Sequence, residues 1–254
     1  MGGGGVRKKG VRGYIEILYS EFLGLIKLNL LFCVCLLPSA ALFLVGLFGY
    51  YSEIMLILAL IAAFPVGGAV SATMYCITCM LRDEPGFLLH DFVRKLKENI
   101  KQAAAPGILC VSFVCAQVYL WGPFLFSRIL IDPLWIIPGI GFFLIFAMVT
   151  PYFFLQIAYI KLSTVQIFKN SLLLSFANAP RSFMGAFAGG IMWGAYVMLL
   201  PGSFTVTPLI LIIGFSVSWF LDLIWVWPIV NKQFNIENQL REMKETRERE
   251  KRLD

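Results

Sequence analysis

The chain has 254 residues, of which 59% are hydrophobic and 14% charged, with a mean hydropathy of +0.80 and a formal net charge of +6. Soluble domains hold roughly 45–50% apolar and about 25% charged residues, so this composition excludes an ordinary soluble domain. The apolar residues form long continuous blocks, and a bilayer core needs roughly 20 such residues per helix. Because the blocks do not alternate, they predict helices and not a β-barrel.

Residues 1–27 form a basic and then amphipathic leader. Within it, Tyr14, Ile17, Leu18 and Phe22 recur at helical spacing, which is typical of a short surface helix. The apolar block that follows is longer than the core of a signal peptide, so we expect it to be retained as the first membrane helix.

Six apolar blocks occupy residues 28–230, the predicted membrane domain. The predicted spans are Leu28–Tyr50, Ile54–Leu81, Ala103–Phe126, Leu134–Ile160, Ser182–Leu200 and Leu209–Val230. Pro65 lies inside the second block and is expected to kink it. Residues 231–254 form a highly charged tail, predicted as a helix that extends from the sixth span.

The basic residues lie almost entirely on one side of these spans. Of the 21 Lys and Arg residues, all except Arg128 fall in the leader, the two longer connectors or the tail. The positive-inside rule therefore places both termini in the cytoplasm and supports an even number of spans. The predicted fold is an all-α, polytopic membrane bundle of six transmembrane helices. Its basic excess is explained by the anionic inner leaflet and needs no nucleic acid.

Both longer connectors carry amphipathic helical patterns. In the first, Arg82–Lys101, the segment Phe87–Lys101 repeats apolar residues at Leu88, Phe92, Leu96 and Ile100. The second, Lys161–Arg181, has a similar stripe at Val165, Phe168, Leu172 and Phe176. Such helices can lie on lipid headgroups or on their own bundle. Alternatively they form a docking surface, on which the candidate residues for an acidic partner or lipid are Arg94, Lys95 and Lys97.

Asp222 is the acidic residue that lies inside a predicted span, about two turns from its cytoplasmic end. A lone charge there costs roughly 2.5–3.5 kcal/mol on insertion scales. Lys27 enters the first span from the same side at a comparable depth, with Glu21 and Lys161 nearby. The sequence therefore predicts an intramembrane charge pair between Lys27 and Asp222. A role in binding substrate or protons is the alternative for such a carboxylate.

The fifth span carries two glycine pairs at a spacing of four, Gly185 with Gly189 and Gly190 with Gly194. Such pairs let helices approach closely, and inside a six-helix bundle they favour packing within the bundle over dimerisation. Catalytic motifs are missing from the sequence: it has no nucleophile elbow, Walker motif, H-E-x-x-H or paired catalytic carboxylates. Cys76 and Cys79 form a C-x-x-C, but the one histidine, His90, lies in another segment. We interpret the cysteines as small packing residues. No enzyme activity, catalytic residue, metal or cofactor is expected.

Four groups of residues follow one another in a specific order and spacing. They are Leu28–Leu31 with Pro38, Phe64–Ala69, Leu81–Glu84 with Asp91–Phe92 and Lys97–Gln102, and Phe168–Leu174 with Asn178–Pro180. In these groups the chain resembles the YesL-like family of bacterial membrane proteins, which contain a domain of unknown function. The resemblance covers about residues 20–230; the glycine leader and the charged tail are less typical.

Members of this family are neighbours of carbohydrate-uptake ABC transporter systems in Gram-positive bacteria. The resemblance therefore implies an accessory or scaffold subunit in the bacterial cytoplasmic membrane, whose partners are the lipid bilayer and subunits of a sugar ABC transporter. It assigns no catalytic residue. A small stand-alone transporter or channel, with Asp222 and Lys27 in its path, is the alternative. The sparse polarity near mid-membrane favours the accessory subunit, because transporters have more polar residues on broken helices there.

Overall fold

The computed structural model describes residues 11–49, 52–84, 86–127, 133–199 and 210–253. All regular secondary structure within these residues is helical. The helices are α1 (Val11–Ser20), α2 (Phe22–Phe48), α3 (Ser52–Ala62), α4 (Val66–Leu81), α5 (Leu88–Ser127), α6 (Pro133–Tyr159), α7 (Thr164–Ala177), α8 (Ala179–Leu199), α9 (Phe215–Phe234) and α10 (Ile236–Leu253). A π-helical turn, Ile210–Gly214, precedes α9.

Four of the described helices are long and apolar enough to cross a membrane. They are Phe22–Leu47, Leu88–Leu120, Pro138–Tyr159 and Ile212–Phe234. The pair α3 and α4 makes a fifth candidate if it counts as one bent span. The all-helical class and the multi-pass character predicted from the sequence are thus confirmed. The fifth predicted span coincides with α8, but the side chains of its last turns lie outside the described residues.

The bend between α3 and α4 lies where the sequence predicts a kink. The two helices meet at 41°, and Pro65 stands directly before the first residue of α4. A proline cannot supply the backbone N–H that a continuous helix needs, so the chain starts a new helix there. The second predicted span is therefore two helices with different surroundings. α3 exposes large apolar side chains such as Ile54, Ile57 and Ile61, whereas most of α4 is buried.

α4 is the centre of the bundle because its side chains are small. Thirteen of its 16 residues are buried. Gly67 lies against the backbone of Ala103 and Gly107 on α5, and a Cβ atom at Gly67 would collide with the Ala103 carbonyl oxygen. Close approach of this kind needs glycine on both helices. The position of α4 therefore fixes where α2, α5, α6 and α9 pack around it.

The first connector and the third predicted span form one continuous helix, α5. Its 40 residues extend over about 60 Å, roughly twice the thickness of a bilayer core. The apolar stripe of the connector faces the protein: Phe92 is buried, and Leu88 and Leu96 pack against the core. The sequence allows this stripe to lie on lipid headgroups or on the protein's own bundle, and in the structure it packs on the bundle.

The charged tail is helical, but it does not continue α9. The sequence predicts that the tail extends the sixth span, and in this respect the prediction is wrong. Asn235 ends α9 with a positive φ of 52°, and α10 begins at the next residue. Asparagine adopts this left-handed conformation more easily than most residues, which makes it a frequent C-terminal cap. The tail is therefore a separate helix. Two predicted loops, which include Arg128 and Pro201–Pro208, lie outside the described residues.

Candidate functional site

One face of α6 carries a line of polar side chains into the interior of the bundle. Tyr152, Gln156 and Tyr159 lie at i, i+4 and i+7, so they project from the same side of the helix. Tyr152 and Gln156 are completely buried. Polar groups in an apolar interior need hydrogen-bond partners, and the elements that face α6 supply them.

Serines on α7 and α8 pair with this line. The Gln156 amide donates to the Ser171 hydroxyl at 2.9 Å, and Ser171 donates in turn to a backbone carbonyl of its own helix. The Tyr152 and Ser182 hydroxyls are 2.8 Å apart, and Ser182 donates to the carbonyl of Ser175 at 3.0 Å. These bonds join α6, α7 and α8 through groups that are all out of contact with solvent.

Asp222 on α9 lies beside the same set. Its exposed fraction is 7%, and it packs against Gly185 on α8, where a Cβ atom would collide with the Asp222 carboxylate oxygen Oδ1. One turn further along α8, Gly189 accepts a 2.7 Å hydrogen bond from Ser218 through its carbonyl oxygen. The close packing predicted from the Gly185 and Gly189 spacing is confirmed, and α9 is the helix that uses it.

The Asp222 carboxylate is incompletely satisfied. Among the described residues, Oδ1 has no hydrogen-bond partner, and the same holds for the Gln156 oxygen Oε1. We call Tyr152, Gln156, Ser171, Ser182 and Asp222 the interior polar set. Chemically, this set can hold helices together, and its open carboxylate oxygen could accept a proton or a cation.

The structure does not bring Lys27 and Asp222 together. Lys27 is exposed on the outer side of α2, while its neighbours Leu25 and Leu28 are buried. Within the described part of the chain, Asp222 forms no ion pair with Lys27 or with Lys161, and Lys27 forms none with Glu21. Lys27 therefore does not face the helix that carries Asp222.

Asn29 makes the polar contact between α2 and α9 instead. It is completely buried, and its side-chain oxygen accepts a 3.0 Å hydrogen bond from the backbone N–H of Ser216. Sequence reasoning missed this residue as a site residue because an amide carries no charge. An asparagine in the middle of an apolar block was nevertheless a usable signal, since buried amides in membranes hydrogen-bond across helices.

Arg82, at the C-terminal end of α4, is the second polar centre. Its side chain is 5% exposed, and it forms a 3.0 Å ion pair with Glu84. The guanidinium also donates to the Tyr159 hydroxyl at 3.2 Å and lies about 5.5 Å from the ring of Trp227. We call Arg82, Glu84, Tyr159 and Trp227 the Arg82 cluster. It joins α4, α6 and α9 at one end of the interior polar set.

The charge on Arg82 is maintained despite its burial. Desolvation lowers the pKa of the guanidinium, but interactions with Tyr159, Cys79 and Glu84 outweigh it and leave the pKa above its usual value. Arginine suits such a position because its planar group can serve several acceptors at once and stack on aromatic rings. Sequence reasoning used Arg82 only as a charge that indicates topology.

The candidate surface residues Arg94, Lys95 and Lys97 are not equally available. Arg94 pairs with Asp91 at 2.8 Å, and Lys95 pairs with Glu98 at 2.9 Å and lies over the Tyr75 ring. Lys97 is exposed, and no ion pair to it is formed among the residues that the structure describes. The surface therefore offers one cation in an open position and two that are held within their own helix.

None of the six cysteines, all of which lie in the described ranges, forms a disulfide bond. Cys79 lies 3.4 Å from the Arg82 guanidinium, and Cys76 is buried beside the backbone of Leu88. Within the described ranges, no group of three His, Cys, Asp or Glu side chains is close enough to hold a metal ion. The comparisons add no relative: no family model, curated protein or solved structure matches this chain.

Proposed function

We propose that this protein is a non-catalytic accessory or scaffold subunit associated with a carbohydrate-uptake ABC transporter of a bacterial cytoplasmic membrane. The assignment to sugar uptake rests on the resemblance to the YesL-like family. In the same proposal, the chain crosses the membrane six times and has both termini in the cytoplasm, which is supported by the distribution of Lys and Arg.

The observation that carries the scaffold role is the pairing of interior polar groups with one another. Gln156 with Ser171, Tyr152 with Ser182, and Asn29 with the Ser216 backbone are joined at 2.8–3.0 Å. A transport path needs polar groups that face a water-filled or substrate-filled space. Groups that bond across helices instead fix the arrangement of the bundle, which is what a scaffold requires.

The exposed side of the first turns of α5 is the proposed docking surface. Lys97 is its open cation, with Arg94 and Lys95 beside it. An acidic patch on a transporter subunit, or an anionic headgroup, is the matching partner, because complementary charges set the orientation and rate of association.

Affinity purification in mild detergent followed by mass spectrometry tests this proposal. Lys97→Glu is the sharpest variant, since reversal of Arg94 or Lys95 would also repel Asp91 or Glu98 on the same helix. Lys232→Glu on α9 is the matched control, because it reverses another exposed cation that has no acidic residue three or four positions away. We expect normal membrane levels for both variants and loss of transporter subunits only with Lys97→Glu. Equal recovery of the subunits with both variants would refute the docking surface.

The topology is tested separately by reporter fusions. Fusions at Glu53, Arg128 and Ser203 should report the outside, and fusions at Asp91, Asn170 and Asp254 should report the cytoplasm. An outside signal at Asp254 would exclude six spans with both termini inside, because an even number of crossings returns the chain to its starting side.

A stand-alone transporter is the second candidate, and the open carboxylate oxygen of Asp222 favours it. Unpaired carboxylates inside a membrane domain serve proton and ion pathways. The exposed position of Lys27 removes it from this path. Substrate flux in proteoliposomes that contain only the purified protein, abolished by Asp222→Asn, would establish the transporter and refute the accessory role.

A further inference from the structure

The second connector helix, α7, has its polar side turned inward and its apolar side turned outward. Its buried residues are Ile167, Ser171 and Ser175, two of which are serines that hydrogen-bond inside the bundle. Large apolar side chains are exposed instead, at Val165, Phe168, Leu173 and Phe176. A helix that faced water on its outer side would show the opposite arrangement.

The apolar stripe of α7 occupies one side of the outer surface. Val165, Phe168 and Phe176 lie within about 80° of one another around the helix axis, at 100° per residue. Ala177, which is also exposed, lies about 180° from Phe168. α7 thus has an inner side against the bundle and an apolar outer side that runs from Phe168 to Leu173. Gln166 and Ala177 lie at the edge of the outer surface farthest from Phe168.

The connections of α7 place it beside the membrane. Four residues separate its start from Tyr159, the last residue of the candidate span Pro138–Tyr159. After α7, only Asn178 precedes α8, whose outer surface carries exposed Phe183, Met184 and Phe187. The exposed apolar surface therefore continues from α7 onto α8.

Charge identifies what covers this surface. The segment around α7 contains three basic residues, Lys161, Lys169 and Arg181, and all three are exposed. The sequence contains no Asp or Glu between Asp132 and Asp222. Cations without any acidic neighbour in sequence, next to exposed aromatic and aliphatic groups, are typical of helices that lie in an anionic membrane interface.

We propose that α7 is an interfacial helix that binds anionic phospholipid. Its apolar side enters the boundary between headgroups and acyl chains, and Lys161, Lys169 and Arg181 hold the phosphate groups. The Ser171 hydroxyl, which accepts from Gln156 on α6, and the Ser175 carbonyl oxygen, which accepts from Ser182 on α8, anchor the helix, so it keeps this orientation while its outer side contacts lipid. The proposal does not depend on the accessory function, because it concerns lipid and not a partner protein.

Membrane depth is the first test. Single cysteines replace Phe168, Phe176 or Ala177 in the full chain, with the six native cysteines changed to alanine, and carry spin labels in phosphatidylcholine–phosphatidylglycerol vesicles. We expect labels at 168 and 176 to collide mainly with oxygen, and the label at 177 mainly with a water-soluble nickel chelate. Equal nickel accessibility at all three positions would overturn the proposal and indicate a surface for a partner protein.

Lipid selectivity is the second test. The variant Lys161→Glu, Lys169→Glu and Arg181→Glu is compared with a control that reverses three exposed cations elsewhere, Lys232, Arg241 and Arg249. We expect the enrichment of phosphatidylglycerol over phosphatidylcholine in co-purified lipid to fall about fivefold in the first variant alone, since each cation contributes about 1 kcal/mol to holding an anionic headgroup. Unchanged enrichment would overturn the anionic selectivity.

A third measurement uses the unaltered protein, so its result does not depend on the folding of any variant. Amide hydrogen exchange of α7 is followed in nanodiscs of phosphatidylcholine with and without phosphatidylglycerol. Slower exchange across residues 164–177 with the anionic lipid supports the proposal. Identical exchange in the two lipids contradicts it.

Discussion

Two glycines on α8 should respond to alanine with opposite signs. A Cβ atom at Gly185 would collide with Oδ1 of Asp222 and lie 3.2 Å from its backbone oxygen, whereas a Cβ at Gly190 would meet nothing within 4 Å. Both residues lie inside the same helix, so the intrinsic gain from replacing glycine with alanine is the same. The difference between the two variants therefore measures the packing of Asp222.

The expected magnitudes follow from this geometry. Gly190→Ala should stabilise the fold by about 0.4–1 kcal/mol, because alanine restricts the unfolded chain. At Gly185 the same gain is opposed by an overpacking cost of about 1–3 kcal/mol, since the carboxylate is buried and has little room to move. The net result is a loss of about 1–2 kcal/mol.

Thermal unfolding of the detergent-solubilised protein, followed by tryptophan fluorescence, provides the assay. With about 2–4 °C per kcal/mol for a chain of this size, Tm should rise by about 1–4 °C for Gly190→Ala and fall by about 2–8 °C for Gly185→Ala. Asp222→Ala in the Gly185→Ala background should recover part of the loss, because it removes the colliding atom. Equal shifts at the two glycines would refute close packing of α8 on α9.

Three further stability predictions use the same assay. Arg82→Ala should lower the free energy of unfolding by about 2–3 kcal/mol, because it removes a buried cation from its ion pair with the partly exposed Glu84. Arg82→Lys should lower it by less. An unchanged Tm for Arg82→Ala would contradict the role of the Arg82 cluster. The effects of Lys27→Ala and Asp222→Ala on the free energy of unfolding should be additive within about 0.5 kcal/mol. A larger coupling energy would show that the two residues form the charge pair after all. Gly67→Ala should lower the free energy of unfolding by about 3 kcal/mol, whereas Gly141→Ala, which like Gly190→Ala meets no atom within 4 Å, should raise it by about 0.4–1 kcal/mol. Similar Tm values would show that α4 and α5 are not in backbone contact.

The sequence alone determined the class of the protein and one of its bends. Hydropathy is a sum over neighbouring residues, so long apolar blocks indicate membrane-spanning helices without any tertiary information. The break at Pro65 is equally local, because the missing N–H and the ring of proline act on the adjacent turn. Small residues at Gly185 and Gly189 predicted close packing, although they did not identify α9 as the partner helix.

The tertiary structure decided which polar groups meet. Lys27 and Asn29 lie at nearly the same depth, but two residues rotate a helix by about 200°, so they face opposite sides of α2. Sequence position gives depth along the helix, whereas the side that faces a neighbour depends on how the helices pack. For this reason Asn29, and not Lys27, meets α9.

The same distinction applies to the two amphipathic connectors. Their apolar stripes follow similar helical spacings in the sequence, yet the stripe of α5 packs against the core, whereas Val165, Phe168 and Phe176 of the α7 stripe are exposed. Periodicity shows that a helix has two different sides but does not say which side the protein covers. In α7, the Ser171 hydroxyl accepts a hydrogen bond from Gln156 on α6, and the Ser175 carbonyl oxygen accepts one from Ser182 on α8. These contacts between helices hold the serine side inward, so the apolar side faces outward.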